Sequence, residues 1–394
     1  MPRLSKRVLS LQESAIRKLD ATTRARTHVH FHRVNIGQPD VPTPAPLIDA
    51  IRGFQPRVLG YGQASGEPAC REAAATYHRR WCPELEASHV AVTTGGSEAL
   101  LFAFTVACDP GDVLLAPEPY YTNYNGFASI CGASIRPLRT HLSQGFALPS
   151  DQELDAAVDE RVKGLVVANP GNPTGAVYGR SELQRLVNWA LRHRKLLIVD
   201  EVYRQIWLDE APCSILEFPE AAEVAICVDS LSKTWSACGL RLGFLISRNA
   251  LLMEKVERLG QARLGPQPLA QHIGMAALTL PESVYEDQRE LYRERVNVLV
   301  DGLSAIDGVE VSRPRGAFYL MARLPVEDTE AFARYLAADF EHEGESFVVA
   351  PGSGFYADPG RGRDEVRLAA VLQPEVLHRV AQLMETALSR YRNL

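Results

Sequence analysis

The sequence predicts an α/β fold: a large, mostly parallel, doubly wound sheet joined to a smaller α+β part. Two observations carry this. Between residues 90 and 230, short apolar runs rich in β-branched residues alternate with helical stretches, the pattern of repeated strand–helix crossovers. In addition, Gly95-Gly96, Tyr121, Asn172, Asp200 and Lys233 each fall just after a predicted strand. Ligands bind beyond the carboxyl ends of strands in such sheets, so the pattern alone brings these residues to one site.

The elements follow in order. Residues 1–27 are basic, with Leu4, Val8, Leu11, Ile16 and Leu19 at helical spacing, which predicts an arm that packs on another surface. Asn35-Ile36-Gly37-Gln38-Pro39-Asp40 follows a strand-like stretch and breaks into turns at Pro42, Pro44 and Pro46. Gly37 permits close backbone approach there. Leu59-Gly60-Tyr61-Gly62 precedes a helix carrying Arg71 and Glu72. A strand over 90–94 then ends in Gly95-Gly96, and 97–106 reads as a buried helix. That turn leaves the backbone N–H groups of Gly96 and Ser97 free for a phosphate at the positive end of the helix. The glycines match neither a P-loop nor G-x-G-x-x-G, so nucleotide binding is not favoured.

Strands are predicted over 112–116, 133–138, 163–168 and 196–199, with helices running to residue 130, over 152–158 and over 181–193. The last of these puts Leu183, Leu186, Val187 and Ala190 on one face. A helix starts near residue 250, Pro266 and Pro268 interrupt it, and a long helix spans 281–306. Strands at 309–312, 317–321, 346–350 and 365–370, with helices at 329–340 and from 374 onward, build the smaller part.

Bulk composition narrows the function. The 394 residues are 46% hydrophobic and 23% charged, ordinary for a globular chain with ample core. A net charge of -6 argues against a nucleic-acid footprint or a basic membrane patch. Seven cysteines without a C-x-x-C pair indicate neither a disulfide framework nor a metal site, and suit a reducing cytoplasm. Apolar runs stay far short of the roughly 18 residues of a membrane span, and residues 1–27 are too polar for a secretion signal.

The most informative stretch is Asp229 to Gly243. An apolar strand, Val224-Ala225-Ile226-Cys227-Val228, leads into Ser230, Ser232, Lys233, two glycines and Arg241, before a second apolar run over 242–246. A lysine between two buried strands sits where its ammonium loses water, as an amine needs to form a Schiff base.

Ser230-x-x-Lys233 followed by Arg241-x-Gly243 resembles the cofactor-lysine segment of the fold-type I pyridoxal-phosphate aminotransferases. Three further segments resemble that family in its own order: Thr93-Thr94-Gly95-Gly96-Ser97-Glu98-Ala99-Leu100, Asn169-Pro170-Gly171-Asn172-Pro173-Thr174-Gly175 and Asp200-Glu201-Val202-Tyr203. The resemblance spans nearly the whole chain. It is strongest to bacterial aspartate-type enzymes, through Ile-Gly-Gln-Pro-Asp near the start and Ser-Ala-Cys-Gly after the lysine.

The resemblance implies a fold-type I transferase: a large domain over 47–282 with a seven-stranded sheet, and a small domain from 1–46 and 283–394. It implies pyridoxal 5'-phosphate as cofactor and a homodimer. Lys233 would bind the cofactor and shuttle a proton, Asp200 would pair with the ring nitrogen, and Tyr203 and Asn172 would hydrogen-bond the ring oxygen. Tyr121, rather than its neighbour Tyr120, would stack on the ring. Gly96, Ser97, Ser230, Arg241 and the partner subunit's Tyr61 would hold the phosphate. Arg367 would take the substrate's α-carboxylate, with Gly37 and Asn172 beside it. L-aspartate and 2-oxoglutarate are the implied substrates; Arg263, Arg315 and His32 are candidates for a distal carboxylate. Alternatives of the same fold are a β-lyase, a cyclase or a biosynthetic transaminase for an unusual amino acid. A non-catalytic effector-sensing domain is more remote, because the N-terminal segment is too short for a winged helix. Among other classes a nicotinamide dehydrogenase is disfavoured by its missing fingerprint.

Overall fold

Strands that are apolar throughout must be covered on both faces, and the crossover helices supply that cover. The computed structural model describes residues 4–9 and 19–392. Among these residues the strands are β1 His30–Arg33, β2 Val90–Thr93, β3 Val113–Glu118, β4 Ser134–Arg139, β5 Val162–Ala168, β6 Leu196–Asp200 and β7 Ala225–Ser230. They continue with β8 Gly243–Ile246, β9 Glu310–Ser312, β10 Tyr319–Arg323, β11 Glu345–Val348, β12 Ala350–Pro351 and β13 Glu365–Ala369.

Seven of them form the large sheet in the order β2-β8-β7-β6-β5-β3-β4, parallel except for β8, which runs against both neighbours. Alternation along the strands divides the packing. Leu115, Leu165, Leu197 and Cys227 face one core, and Leu114, Val166, Ile198 and Ile226 face the other. The helix Arg180–His193 buries the expected stripe of Leu183, Leu186, Val187 and Ala190, with Trp189 added.

The second sheet is antiparallel, in the order β12-β13-β10-β9, under the helices Glu282–Ser304, Thr329–Ala338 and Pro374–Tyr391. Its surroundings correct one expectation. The single strand expected over 346–350 is two strands, because the chain changes partner at residue 349: β11 pairs with β1 and β12 with β13. The β1 pairing lays the N-terminal segment on the C-terminal part, and on it we propose the domain division 47–282 and 1–46 with 283–394. Of the expected arm, Leu11 and Ile16 lie outside the described residues; Leu4 and Val8 are exposed, and the short helix Lys6–Leu9 is tied to the helix Asn123–Cys131 by Arg7 donating to the Ile130 carbonyl.

Candidate active site

The carboxyl ends of β2, β3, β5, β6 and β7 open onto one cavity of about 550 Å³, which β10 and β13 close from the other side. Gly37, Gly96, Ser97, Tyr121, Asn172, Asp200, Tyr203, Ser230, Lys233, Arg241 and Arg367 all line it. Tyr61 does not: it stands 89% exposed on the surface of the single chain.

Lys233 follows β7 in a tight turn, and its ammonium donates to the Gly37 carbonyl at 2.7 Å. Asp200 ends β6 deep in the sheet. Its carboxylate accepts from the Tyr124 hydroxyl at 3.1 Å and from the Val202 N–H at 3.4 Å, and no cation among the described residues pairs with it. Burial pushes this carboxyl up to about 7. Such a group accommodates a cationic partner brought by a ligand.

A cradle forms at the start of the helix Gly95–Ala107, where Thr94 gives no side-chain cap and the first N–H groups stay available. Gly95 has φ +75°, and a Cβ there would lie 2.5 Å from the Arg241 guanidinium. Gly243 packs so closely that a Cβ would meet the Gly95 backbone at 2.5 Å. Glycine is therefore required for the loop to close over Arg241, with Ser230 across from Gly96. Helix N–H groups, hydroxyls and a guanidinium gathered here suit a phosphate dianion.

Arg367 projects from the middle of β13, 1% exposed. It donates to Asn172 Oδ1 at 3.1 Å and to the Asn35 carbonyl at 2.6 Å, while its Nε has no acceptor. Among the described residues it has no carboxylate partner. Rings of Tyr319 and Phe355 hold its guanidinium at 4.5 and 4.9 Å from their centroids. A buried cation kept planar, unneutralised and facing a cavity is built for an anion. Cradle, lysine, unpaired carboxyl and unpaired guanidinium together fit pyridoxal phosphate carrying an amino acid.

The distal-carboxylate candidates are not brought to the cavity. His32 pairs with Glu345 at 3.0 Å, Arg263 with Glu98 and the Ala64 carbonyl, and Arg315 with the Val177 carbonyl. Conversely, Tyr319, Ser232, Cys238 and Gln38 line the cavity and Tyr124 supports Asp200 from behind. The signal for Tyr124 is a tyrosine in the first turn of the helix Asn123–Cys131, just after the pair Tyr120-Tyr121 that follows β3; for Tyr319 it is the Gly-Ala-Phe-Tyr run entering a strand. Tyr120, the alternative to Tyr121, is buried against Tyr124 instead.

Comparison with known proteins agrees with this geometry. The family model for aminotransferase class I and II matches residues 31–383. Aspartate aminotransferase of Thermotoga maritima is 28% identical, covering 97% of this chain and 100% of that one. LL-diaminopimelate aminotransferase of Desulforudis audaxviator is 34% identical, covering 85% of each. Alanine aminotransferase of Pyrococcus furiosus superposes with a TM-score of 0.90 at 27% identity, over 98% of this chain and 100% of that structure.

Proposed function

The chain belongs to the aminotransferase class I and II family, and from that premise we propose that it moves an amino group from an L-amino acid, L-aspartate first, to a 2-oxo acid such as 2-oxoglutarate in two alternating half-reactions. It is a pyridoxal-phosphate-dependent transferase. The observation that carries the proposal is the meeting of Lys233, Asp200 and Arg367 in one cavity.

When bound, the cofactor supplies a ring that accepts the electron pair released at the donor's Cα. The chain's own residues do the rest. Arg367 binds the donor's α-carboxylate with Asn172 and Gly37 beside it, and so orients Cα. Lys233 Nζ would take the proton from Cα and return it to the cofactor's former aldehyde carbon, on the other side of the shared nitrogen. Asp200 keeps a proton on the ring nitrogen, Tyr203 and Asn172 hold the ring oxygen, and Tyr121 covers the ring face and excludes water. Gly96, Ser97, Ser230, Arg241 and the partner subunit's Tyr61 anchor the phosphate. The dimer is part of the proposal: Ile48, Ile51, Val58, Leu59, Tyr61 and Leu264 are exposed large hydrophobics on segments flanking Tyr61 and the loop packed on it. Unpaired thiols at all seven cysteines support a cytoplasmic location.

Three relatives named aspartate aminotransferases support aspartate as first donor. A neutral amino acid is the second reading, favoured because His32, Arg263 and Arg315 are each engaged elsewhere.

The test is a donor screen on the purified loaded protein, following the visible band of the cofactor and then identifying the product. L-aspartate should bleach the band and yield oxaloacetate. Borohydride should fix the cofactor on Lys233, and Lys233→Ala should remove the lysine-linked band. A label elsewhere, or ammonia in place of a 2-oxo acid, overturns the reading.

A further inference from the structure

Tyr319 opens β10 with its side chain buried in the cavity wall, 2% exposed. Its hydroxyl lies 3.0 Å from that of Tyr203. Its ring carries the Arg367 guanidinium. Its oxygen also fills the space that a side chain at position 37 would need, since a Cβ on Gly37 would stand 1.7 Å from it. Tyr319 therefore touches the cofactor-side tyrosine, the carboxylate-side arginine and the loop after β1 that carries the Lys233 acceptor.

Each hydroxyl has one proton, and two hydroxyls at this distance share one hydrogen bond. Under the reading above, Tyr203 gives its own proton to the ring oxygen of the cofactor. Burial pushes the Tyr203 hydroxyl well above its ordinary value, which keeps that proton in place. The shared bond must then run from Tyr319 to Tyr203. We infer that Tyr319 is a positioning residue for amino transfer: it donates to Tyr203 and so fixes the direction and strength of the hydrogen bond that Tyr203 makes to the cofactor's ring oxygen. The inference rests on the proposed function but assigns a residue which that reading leaves idle.

The consequence is electrostatic. Donors in a chain polarise one another in a dry site, so Tyr319 strengthens the Tyr203 bond. A strong donor stabilises negative charge on the ring oxygen, and the adjoining nitrogen of Lys233, once joined to the cofactor, gives up its proton at a lower pH.

The experiment is a pH titration of the visible band of the loaded protein, without substrate, in the wild type, Tyr319→Phe, Tyr203→Phe and the double variant. Phenylalanine keeps the ring under Arg367 and removes only the hydroxyl. Tyr319→Phe should move the midpoint up by about half a pH unit and Tyr203→Phe by more. The double variant should match Tyr203→Phe alone, because the effect passes through Tyr203. An unmoved midpoint in Tyr319→Phe, or an equal added shift in the Tyr203→Phe background, overturns the relay. A wild type that takes up pyridoxal phosphate without any lysine-linked band overturns the proposed function itself, a separate failure.

Discussion

The Tyr124 hydroxyl donates to Asp200 Oδ2 across 3.1 Å, and both groups are buried at the carboxyl edge of the seven-stranded sheet. The bond restrains the carboxylate but does not neutralise it, and burial still pushes Asp200 from 3.8 up to about 7. Between those values the folded, cofactor-free protein keeps a proton that the unfolded chain has lost. The unfolded state binds fewer protons there, so this group lowers stability as pH rises from about 4 to about 7 and adds no further slope above. A cation on Asp200 reverses the preference. The melting temperature of the cofactor-free protein should therefore fall across this window relative to the loaded protein, the gap widening toward pH 7. Thermal melts of both forms at pH 5 to 8 check this, and Asp200→Asn should remove the widening.

Asp200→Asn keeps the volume and the Tyr124 bond while removing the charge. Losing a buried ionic partner costs several kcal/mol, so turnover should drop on the order of 10²-fold or more with circular dichroism unchanged. Tyr124→Phe should be milder, at about 1 kcal/mol in cofactor affinity.

The placement of Asp200, Lys233 and Asn172 was legible in the sequence because a parallel strand buried on both faces reads as an unbroken apolar run, and the polar residues that follow it within a few positions mark the cavity edge. Arg367 was legible for a related reason, as a charge inside an apolar strand. Tyr319 was not. Whether its hydroxyl faces the cavity depends on the register of β10 against β13, where Tyr319 lies opposite Ala369, and on Gly37, 282 positions earlier. Arg263 shows the opposite failure: its residue type suits a distal carboxylate, but its partner Glu98 is 165 residues away and invisible to local reading.

Gly37→Ala should act through Tyr319. The new Cβ would overlap the hydroxyl and the ring carbon at 2.4 Å, so the ring or the segment bearing the Lys233 acceptor must move. Overpacking of this kind costs about 1–3 kcal/mol. Lower thermal stability together with weaker cofactor uptake is expected, measured by melts and by titration with pyridoxal phosphate.

Behind the cradle, Arg204 lies 2.5 Å from both Glu201 and Asp229, with His78 3.0 Å from Asp229, all sealed from water. Arg204→Met would strand two buried carboxylates and destabilise the protein by about 3–5 kcal/mol. Asp229 Oδ1 also accepts from the Ser230 N–H at 2.7 Å, so the damage should reach the phosphate cradle. Denaturant melts should show the loss of stability, and cofactor titration should show weaker retention in the fraction that still folds.

Glu118 ties the seven-stranded sheet to the segment that follows β12. It ends β3 with its side chain fully buried, accepts from Arg361 at 2.7 Å and from the Ala357 N–H at 3.0 Å, and Arg361 reaches on to the Thr140 carbonyl. The Tyr120 N–H donates to the Phe355 carbonyl at 3.0 Å. Residues 355–361 thus hang on the large sheet, and Phe355 is one of the two rings that hold Arg367 in place. Releasing this segment should loosen the carboxylate clamp while leaving the lysine, Asp200 and the phosphate cradle untouched. Arg361→Leu removes the charge on the exposed side of the pair and Glu118→Gln keeps the shape of the buried side. Both should raise KM for the amino donor, by about tenfold if the Phe355 contact is lost, since a desolvated cation–π contact contributes about 1–2 kcal/mol. The visible spectrum of the bound cofactor should stay as in the wild type and kcat should change less than KM. A KM that does not move in either variant would mean that Arg367 holds its position without the clasp.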